Sequence, residues 1–146
     1  MRKEATLKFV GVVRRSRYLP RNVSELDIFQ EYCQELYKLE DFSHIMAFYW
    51  LHLRDNQAHR SAIRVIPRRH HGAPEVGVFA SRSPSRPNPI GFSVVELLKI
   101  ESCKIFVKGL DAANHSPVID MKPYIPRADS VPNARAPEWT LSGPRT

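Results

Sequence analysis

The chain has 146 residues, of which 42% are hydrophobic and 25% charged, so it is long enough for one globular domain and too hydrophobic for a disordered chain. Its longest apolar run, residues 45–51, is far shorter than a membrane span, and its first residues contain no apolar signal core, so we expect a cytoplasmic protein. The formal net charge is +7, and the arginines are clustered along the chain, which favours binding to a polyanion such as nucleic acid.

The first predicted element is a strand, because residues 6–14 alternate between apolar and polar side chains. The next segment leaves two interpretations open. Ser24 and Asp27 resemble the capping box of a helix, but residues 25–29 equally fit a short strand followed by a helix at 30–39.

Strand-length apolar segments make up most of the remaining chain. The further predicted strands are residues 44–53, 61–66, 76–80, 92–100, 104–110 and 118–121. The first of them is almost continuously apolar, which predicts burial on both faces, and 92–100 with 104–110 is a predicted hairpin. We therefore predict a mostly β fold, a single-domain barrel of six or seven strands with one short helix in residues 1–126, and an irregular proline-rich tail in 127–146.

The two cysteines show no pattern of a metal site. Cys33 and Cys103 are separated by 70 positions, and neither has a second cysteine or histidine at ligand spacing. We expect two reduced thiols in or near the core and no bound metal.

The most unusual segment is SRSPSRPNPIG, residues 81–91. Each proline restricts itself and the residue before it, so the loop should be stiff enough to hold Arg82, Arg86 and Asn88 in place. Gly91 then allows a close approach or an unusual φ where the next strand begins. The alternative is a disordered Ser/Arg linker, against which the flanking strands argue.

A second candidate site is the polar segment 109–124. It contains Asp111 and Asp120, with Lys122 beside the latter, and a capped turn plus a surface ion pair is the alternative explanation. His52, after the apolar strand, is either a core residue or a base or adenine contact. His70 and His71, in a basic turn, are predicted to be solvated.

Two segments together resemble a known family. GVFASRSPSRPNPIGFSVVEL (77–97) and GLDAANHSPVIDMKPYIP (109–126) are similar to the TsaA-like, or TrmO, family of tRNA methyltransferases. DFSHI (41–45) and Leu19-Pro20-Arg21-Asn22 also match its motifs, and the similarity runs from about residue 7 to 137. The resemblance implies a homodimeric β-barrel that binds S-adenosylmethionine near the subunit interface. It also implies methylation of N6 of N6-threonylcarbamoyladenosine at position 37 of tRNA.

The resemblance also assigns roles by matching position. The implied cofactor-binding residues are Arg21, Asn22, His52, Arg82, Val94, Asp111, Ala112, Ala113 and Asn114. From the chemistry of the reaction we predict Arg86, Asp120 and Lys122 as catalytic residues, the last two as a pair that supports the acidic loop. The sequence departs from the family wording at Asn22, where glutamine is usual, and at His115-Ser116, where Gly-Thr is usual.

Two alternatives remain open. One is a non-catalytic basic barrel that binds RNA through its arginine clusters. The other keeps the cofactor site but serves a different methyl acceptor, because fuller members of the family carry a further C-terminal domain. In the leading interpretation, the basic residues of 60–71 contact the phosphates of the anticodon stem.

Overall fold

Six strands close into an antiparallel barrel in the computed structural model, which describes residues 3–145. The strands are β1 (Gly11–Arg14), β2 (Val23–Ile28), β3 (His44–Trp50), β4 (Arg64–Val65), β5 (Val76–Gly77), β6 (Ile90–Glu101), β7 (Lys104–Lys108) and β8 (Pro117–Pro123). The order around the barrel is β1-β2-β7-β6-β3-β8, and β4 pairs with β5 in a separate two-stranded sheet. The predicted barrel and the predicted β6–β7 hairpin are confirmed.

The helices are all short. The two α-helices are α1 (Gln57–Arg60) and α2 (Pro126–Asp129), and the 3₁₀ helices are Gln30–Leu36, Leu39–Asp41, His52–Arg54, Val78–Ala80 and Glu138–Leu141. The predicted helix at 30–39 is thus a 3₁₀ helix that ends before Lys38, whose φ of 72° lies in the left-handed region. The tail is largely irregular but includes α2 and the last 3₁₀ helix.

The segment with two interpretations is a strand, so the capping-box interpretation is wrong. Ser24 is fully buried inside the barrel, and the carboxylate of Asp27 accepts a hydrogen bond from Arg14 at 2.6 Å. Tertiary pairing of β2 with β1 and β7 therefore overrides the local capping pattern.

Alternate residues of each strand form the core, as the two-residue period of a strand requires. The buried apolar core consists of Val13, Leu26, Ile28, Leu36, Ile45, Ala47, Tyr49, Val95, Ile105, Val107, Leu110, Ala112 and Val118. In β3 only every second side chain is fully buried, so the predicted burial of both faces is wrong. The reason is that a barrel wall has one face inside and the other outside, where the apolar side chains of β3 are half-buried.

The strand directions separate the connections into two groups. Neighbouring strands are antiparallel all round the barrel. Residues 15–22, 51–89 and 109–116 therefore connect strands at one end, which we call the loop end. Residues 29–43 and 102–103 connect strands at the other, which we call the opposite end.

Cys33 and Cys103 form a disulfide, so the prediction of two reduced thiols is wrong. Their Cα atoms are 5.2 Å apart, within the normal range for a disulfide. The bond joins the 3₁₀ helix Gln30–Leu36 to the β6–β7 turn at the opposite end. The pairing of β2 with β7 brings the two cysteines together. The N–H of Ile28, at the end of β2, donates to the carbonyl of Cys103 at 2.9 Å, and the helix that carries Cys33 begins two residues after Ile28.

Other strand limits differ from the sequence patterns. The first strand begins only at Gly11, and the predicted strands 61–66 and 76–80 are reduced to the two-residue β4 and β5. These short strands lie in the long β3–β6 connection and, among residues 3–145, pair only with each other, so little ladder forms.

Candidate functional site

Two of the three connections at the loop end, 15–22 and 109–116, contact each other directly. The N–H of Gly109 donates to the carbonyl of Asn22 at 3.0 Å. The backbone N–H of Arg15 donates to the Asn114 side chain at 2.9 Å, and its guanidinium reaches the carbonyl of Ala112 at 3.3 Å. The basic loop 15–22 and the acidic loop 109–116 therefore form one surface.

Charge is divided unequally between the two ends of the barrel. The loop-end connections contain ten arginines and three carboxylates, whereas residues 29–43 contain one lysine and four carboxylates. A polyanion is therefore attracted to the loop end, where the predicted site residues are concentrated.

The proline-rich loop is held by its own arginine. Arg86 donates to the carbonyls of Ser81 at 3.0 Å and Ser83 at 2.9 Å. These are charge-assisted bonds to backbone that has no strand partner. Arg86, a predicted catalytic residue, thus has its guanidinium directed into its own loop.

Neighbouring segments anchor the same loop. His59 and Arg60 of α1 reach it, His59 Nδ1 lying 2.5 Å from Ser85 Oγ and Arg60 donating to the Pro87 carbonyl at 2.8 Å. Pro89 is fully buried, and its carbonyl accepts from the N–H of Leu51 at 2.7 Å. The predicted stiffness of the loop therefore has both a local and a tertiary basis.

Arg82 differs from Arg86 in having no hydrogen-bond or salt-bridge partner among the described residues. Its side chain is exposed and makes no hydrogen bond or salt bridge within residues 3–145. It lies close enough to Tyr49 for its charge to favour the ionised phenol. A cation held on a rigid loop without a counter-ion is available for an anionic ligand.

Tyr49 connects the barrel interior to the acidic loop. Its hydroxyl donates to the carbonyl of Asp111 at 2.5 Å and lies 3.2 Å from Ser93 Oγ. Burial raises the pKa of the Tyr49 phenol above its ordinary value of 10.0, and the charge of Asp111 raises it further. Tyr49 is therefore a neutral hydrogen-bond donor at physiological pH, not a base.

The side chain of Asp111 binds a second partner. Its carboxylate accepts a hydrogen bond from the guanidinium of Arg69, and this bond is the main cause that raises the Arg69 pKa. Asp111 is thus held at its carbonyl by Tyr49 and at its carboxylate by Arg69. Both groups are partly exposed, so the ion pair itself adds little stability.

The rest of the acidic loop is a tight turn. Ala112 is buried, whereas Ala113 and Asn114 are exposed. His115, where the family wording has glycine, has a φ of 71°, so a non-glycine residue takes the left-handed conformation there. Ser116 is buried and its hydroxyl donates to the carbonyl of Ala113 at 2.7 Å.

Three predicted site residues lie elsewhere, on the outer wall of the barrel. Val94 points outward from β6, and Asp120 and Lys122 form an exposed salt bridge at 3.4 Å on β8. None of the three makes a hydrogen bond or salt bridge to loop 109–116 in the part of the chain that the structure describes. Beside them Phe48 and Phe92 pack with ring centroids 5.3 Å apart.

The remaining predicted residues are at the loop end. Arg21 and Asn22 are exposed in the turn before β2. His52 begins a 3₁₀ helix directly after β3, and its Nδ1 is buried without a hydrogen-bond partner among the described residues. An unpaired buried nitrogen is uncommon in proteins, so a ligand that bonds to it would be favoured.

Sequence reasoning missed Tyr49, Ser93 and Arg69. The alternation of β3 could have indicated that Tyr49 points inward, but not which carbonyl it reaches. Arg69 stood out only as one member of a basic cluster.

Other features of the described residues lie away from these loops. No helix among residues 3–145 is long and apolar enough to cross a membrane, and no group of histidine, cysteine or acidic side chains there could hold a metal ion. A depression of about 440 Å³ lined by Cys33, Gln34 and Tyr37 lies at the opposite end and contains none of the predicted site residues.

Comparison with known proteins relates this arrangement to a family. A probable S-adenosyl-L-methionine-binding protein of Archaeoglobus fulgidus is 40% identical over 151 residues, which cover 96% of this chain and 39% of that protein. A human tRNA (adenine(37)-N6)-methyltransferase is 38% identical over 110 residues, covering 75% of this chain and 24% of the enzyme.

A similar fold occurs in a solved structure. The crystal structure of TrmO from Pseudomonas aeruginosa aligns with a TM-score of 0.71 at 28% identity, covering 94% of this chain and 62% of that one. This chain spans less than two thirds of the length of each of these three proteins. Residues 7–130 match the model of the tRNA-methyltransferase O N-terminal domain, and the chain belongs to that family.

Proposed function

We propose that this domain binds S-adenosylmethionine at the loop end of the barrel and methylates N6 of an adenosine in tRNA, specifically N6-threonylcarbamoyladenosine at position 37. The observation that supports the proposal most is the contact between the acidic loop 109–116, the basic loop 15–22 and the turn that carries Arg69. The names of the related proteins supply the reaction class.

The residues at the loop end fit the proposed cofactor chemically. S-adenosylmethionine presents a carboxylate, an ammonium group, ribose hydroxyls and an adenine. Arg82 is a cation without a partner among residues 3–145 and suits the carboxylate, and His52 Nδ1 is a buried nitrogen that still needs a hydrogen bond. Exposed polar groups of Asn22 and Asn114 complete the set.

The proposed methyl transfer depends mainly on the alignment of the cofactor with the adenosine nitrogen. The cofactor supplies a methyl group on a positively charged sulfur, and the carbamoyl substituent of the proposed nucleoside acidifies the N–H that must lose its proton. Alignment can lower the barrier by about 7–11 kcal/mol, whereas a general base adds about 10²–10⁴-fold. We therefore expect the residues that position the two substrates to matter more than any one base.

The proposed RNA surface is the arginine-rich loop end. Exposed apolar side chains interrupt the arginines there: Tyr18, Leu53, Ile63, Ile66 and Phe79. Bases of single-stranded loops can stack on the two aromatic ones, Tyr18 and Phe79, while arginines contact phosphates. Arg17 lies over the ring of Tyr18 at 5.1 Å, which leaves a mixed cationic and aromatic surface of this kind.

The same proposal includes a homodimer. The outward side chains at the start of β6 are apolar where a solvated barrel wall is ordinarily polar, since Ile90, Phe92 and Val94 are all exposed. Asp120 and Lys122 add opposite charges to the same wall, and this combination suits a self-complementary two-fold contact. Sedimentation measures the oligomeric state of the parent protein and of Phe92→Glu. A dimeric parent with a monomeric variant would support the proposed homodimer, whereas a monomeric parent would contradict it.

We propose a cytoplasmic location, because the proposed substrate is a tRNA. Disulfides are uncommon there except in hyperthermophiles, so the redox state of Cys33 and Cys103 in cells bears on this location. If cells contain the disulfide and the organism is not a hyperthermophile, the proposed location is wrong.

Transfer of a labelled methyl group to tRNA tests the function. We expect incorporation into tRNA that carries threonylcarbamoyladenosine and none into tRNA that lacks it. Cofactor binding without transfer to either RNA would favour a different acceptor. Salt-dependent RNA binding with no cofactor affinity at millimolar concentration would favour the non-catalytic barrel.

A further inference from the structure

The C-terminal segment returns to the loop end and packs there. It leaves β8 at the opposite end, where the N–H of Tyr124 donates to the carbonyl of His44 at 3.0 Å. Its residues 139–143, which we call the C-terminal clasp, then contact the basic turn 68–72 of the β3–β6 connection.

Aromatic and polar contacts hold the clasp on the basic turn. The ring of Trp139 packs edge-on against that of His70, with centroids 5.4 Å apart. His70 Nδ1 lies 2.6 Å from the carbonyl of Ser142, and since a carbonyl only accepts, this nitrogen carries the proton. The Ser142 hydroxyl donates to the carbonyl of His71 at 3.2 Å. The prediction that both histidines are solvated is therefore wrong for His70, which is half-buried.

The backbone of the clasp lies directly against Arg69. Gly143 has a φ of 82°, and a Cβ there would meet the carbonyl oxygen of Arg69 head-on. Only glycine allows so close an approach in this conformation. The position of the Arg69 backbone is thus set by the clasp on one side.

The side chain of Arg69 extends to the acidic loop. It binds the carboxylate of Asp111, whose carbonyl is in turn bonded to Tyr49. A continuous series of contacts therefore connects Trp139 to the loop 111–114 through His70 and Arg69.

We propose that the C-terminal clasp is a positioning element: by holding Arg69 in place, it orders the acidic loop that binds the methyl donor. The proposal rests on the proposed function for its ligand, but its structural part concerns the unliganded protein. It makes the affinity for S-adenosylmethionine depend on residues that need not touch the cofactor.

Hydrogen exchange and cofactor titration test the proposal on Trp139→Ala. We expect amides 110–116 to exchange about tenfold faster and the Kd for S-adenosylmethionine to rise about tenfold, because a contact in series with the loop is lost. Leu141→Ala is the matched control, since Leu141 lies in the same segment and is 85% exposed. It should change neither quantity.

A double-mutant cycle separates positioning from general stability. In an Arg69→Ala background, Trp139→Ala should cause no further loss of cofactor affinity, because the connection to Asp111 is already broken. With Arg69 present, Trp139→Phe should retain most of the S-adenosylmethionine affinity that Trp139→Ala loses. If the alanine variant does not fold, Trp139→Leu replaces it, which retains bulk but loses the aromatic edge.

Two results would overturn the proposal. One is a lower Tm for Trp139→Ala with unchanged exchange in 110–116, and the other is additive losses in the cycle. If the parent protein binds no S-adenosylmethionine, the proposed function fails, while the exchange measurement on the unliganded protein still decides whether the clasp orders the loop.

Discussion

Gly91 lies beneath the ring of Tyr49, so close that a Cβ at residue 91 would be 2.3 Å from Cε2 of the tyrosine. The two residues face each other across the β3–β6 pair. The absence of a Cβ at Gly91 leaves room for the Tyr49 ring, which extends across the barrel so that its hydroxyl donates to the carbonyl of Asp111. The predicted close approach at Gly91 is confirmed, and the left-handed φ offered as the alternative is absent there.

Gly91→Ala should therefore destabilise the protein. The added methyl group must displace a buried, hydrogen-bonded ring, and such overpacking costs about 1–3 kcal/mol. Urea denaturation measures the loss. Gly77→Ala is the control, because a Cβ there meets nothing nearer than 4.0 Å, and it should be neutral or slightly stabilising. Equal effects of the two substitutions would contradict the assigned role of the space at Gly91.

The buried phenol of Tyr49 should make stability depend on alkaline pH. Because burial raises its pKa in the folded protein, the stabilising contribution is complete below pH 10.0, the ordinary value, and is lost as pH rises through the higher folded value. Tyr49→Phe should remove this part of the loss. The measurement is the free energy of unfolding against pH for both proteins, and parallel curves above pH 10 would show that the phenol is not responsible.

The two arginines of the proline-rich loop should behave differently. Arg82→Ala should weaken S-adenosylmethionine binding about 10- to 100-fold, as expected for a lost charged hydrogen bond, and leave the Tm unchanged. Arg86→Ala should lower stability by about 1–3 kcal/mol, because two loop carbonyls lose their donor. Calorimetric titration measures the cofactor affinity of both variants and thermal unfolding their stability. Identical behaviour would show that the two arginines do not have separate roles in binding and stability.

Phe79 should contribute to RNA affinity. It is 82% exposed at the loop end, and stacking on an unpaired base is worth about 1–3 kcal/mol. Phe79→Ala should weaken tRNA binding by that amount with an unchanged salt slope, since no phosphate contact is lost. Tyr37→Ala is the matched control, because Tyr37 is 81% exposed at the opposite end. Fluorescence anisotropy measures both, and a loss in both variants would show that RNA does not prefer the loop end.

Reduction of the disulfide should destabilise the barrel. The bond closes a loop of about seventy residues, for which a loss of about 2–4 kcal/mol is expected. Urea denaturation with and without reductant measures it. Cys33→Ser and Cys103→Ser should each cause the loss and become insensitive to reductant, and an unchanged midpoint in the parent protein would show that the bond contributes nothing.

Local chemistry accounts for what the sequence by itself determined. Alternation along β2, β6 and β7 places apolar side chains on one face of a strand, and proline restricts its own backbone, so the barrel and the stiff loop before Gly91 were predictable. The resemblance of two segments to one family supplied the predicted site residues, most of which lie at the loop end. The sequence left Ser24 and Asp27 open between a helix cap and a strand, and strand pairing on both sides decides for the strand.

Only the tertiary structure decided which distant residues meet. The Cys33–Cys103 bond, the contact of Tyr49 with Asp111 and the clasp at Trp139 all depend on strand register and barrel closure, which spacing along the chain does not encode. Barrel closure also places Val94, Asp120 and Lys122 away from the loops, because strand alternation puts their side chains on the outer wall. A strand's two-residue period shows which residues share a face, but only the closed barrel shows what that face meets.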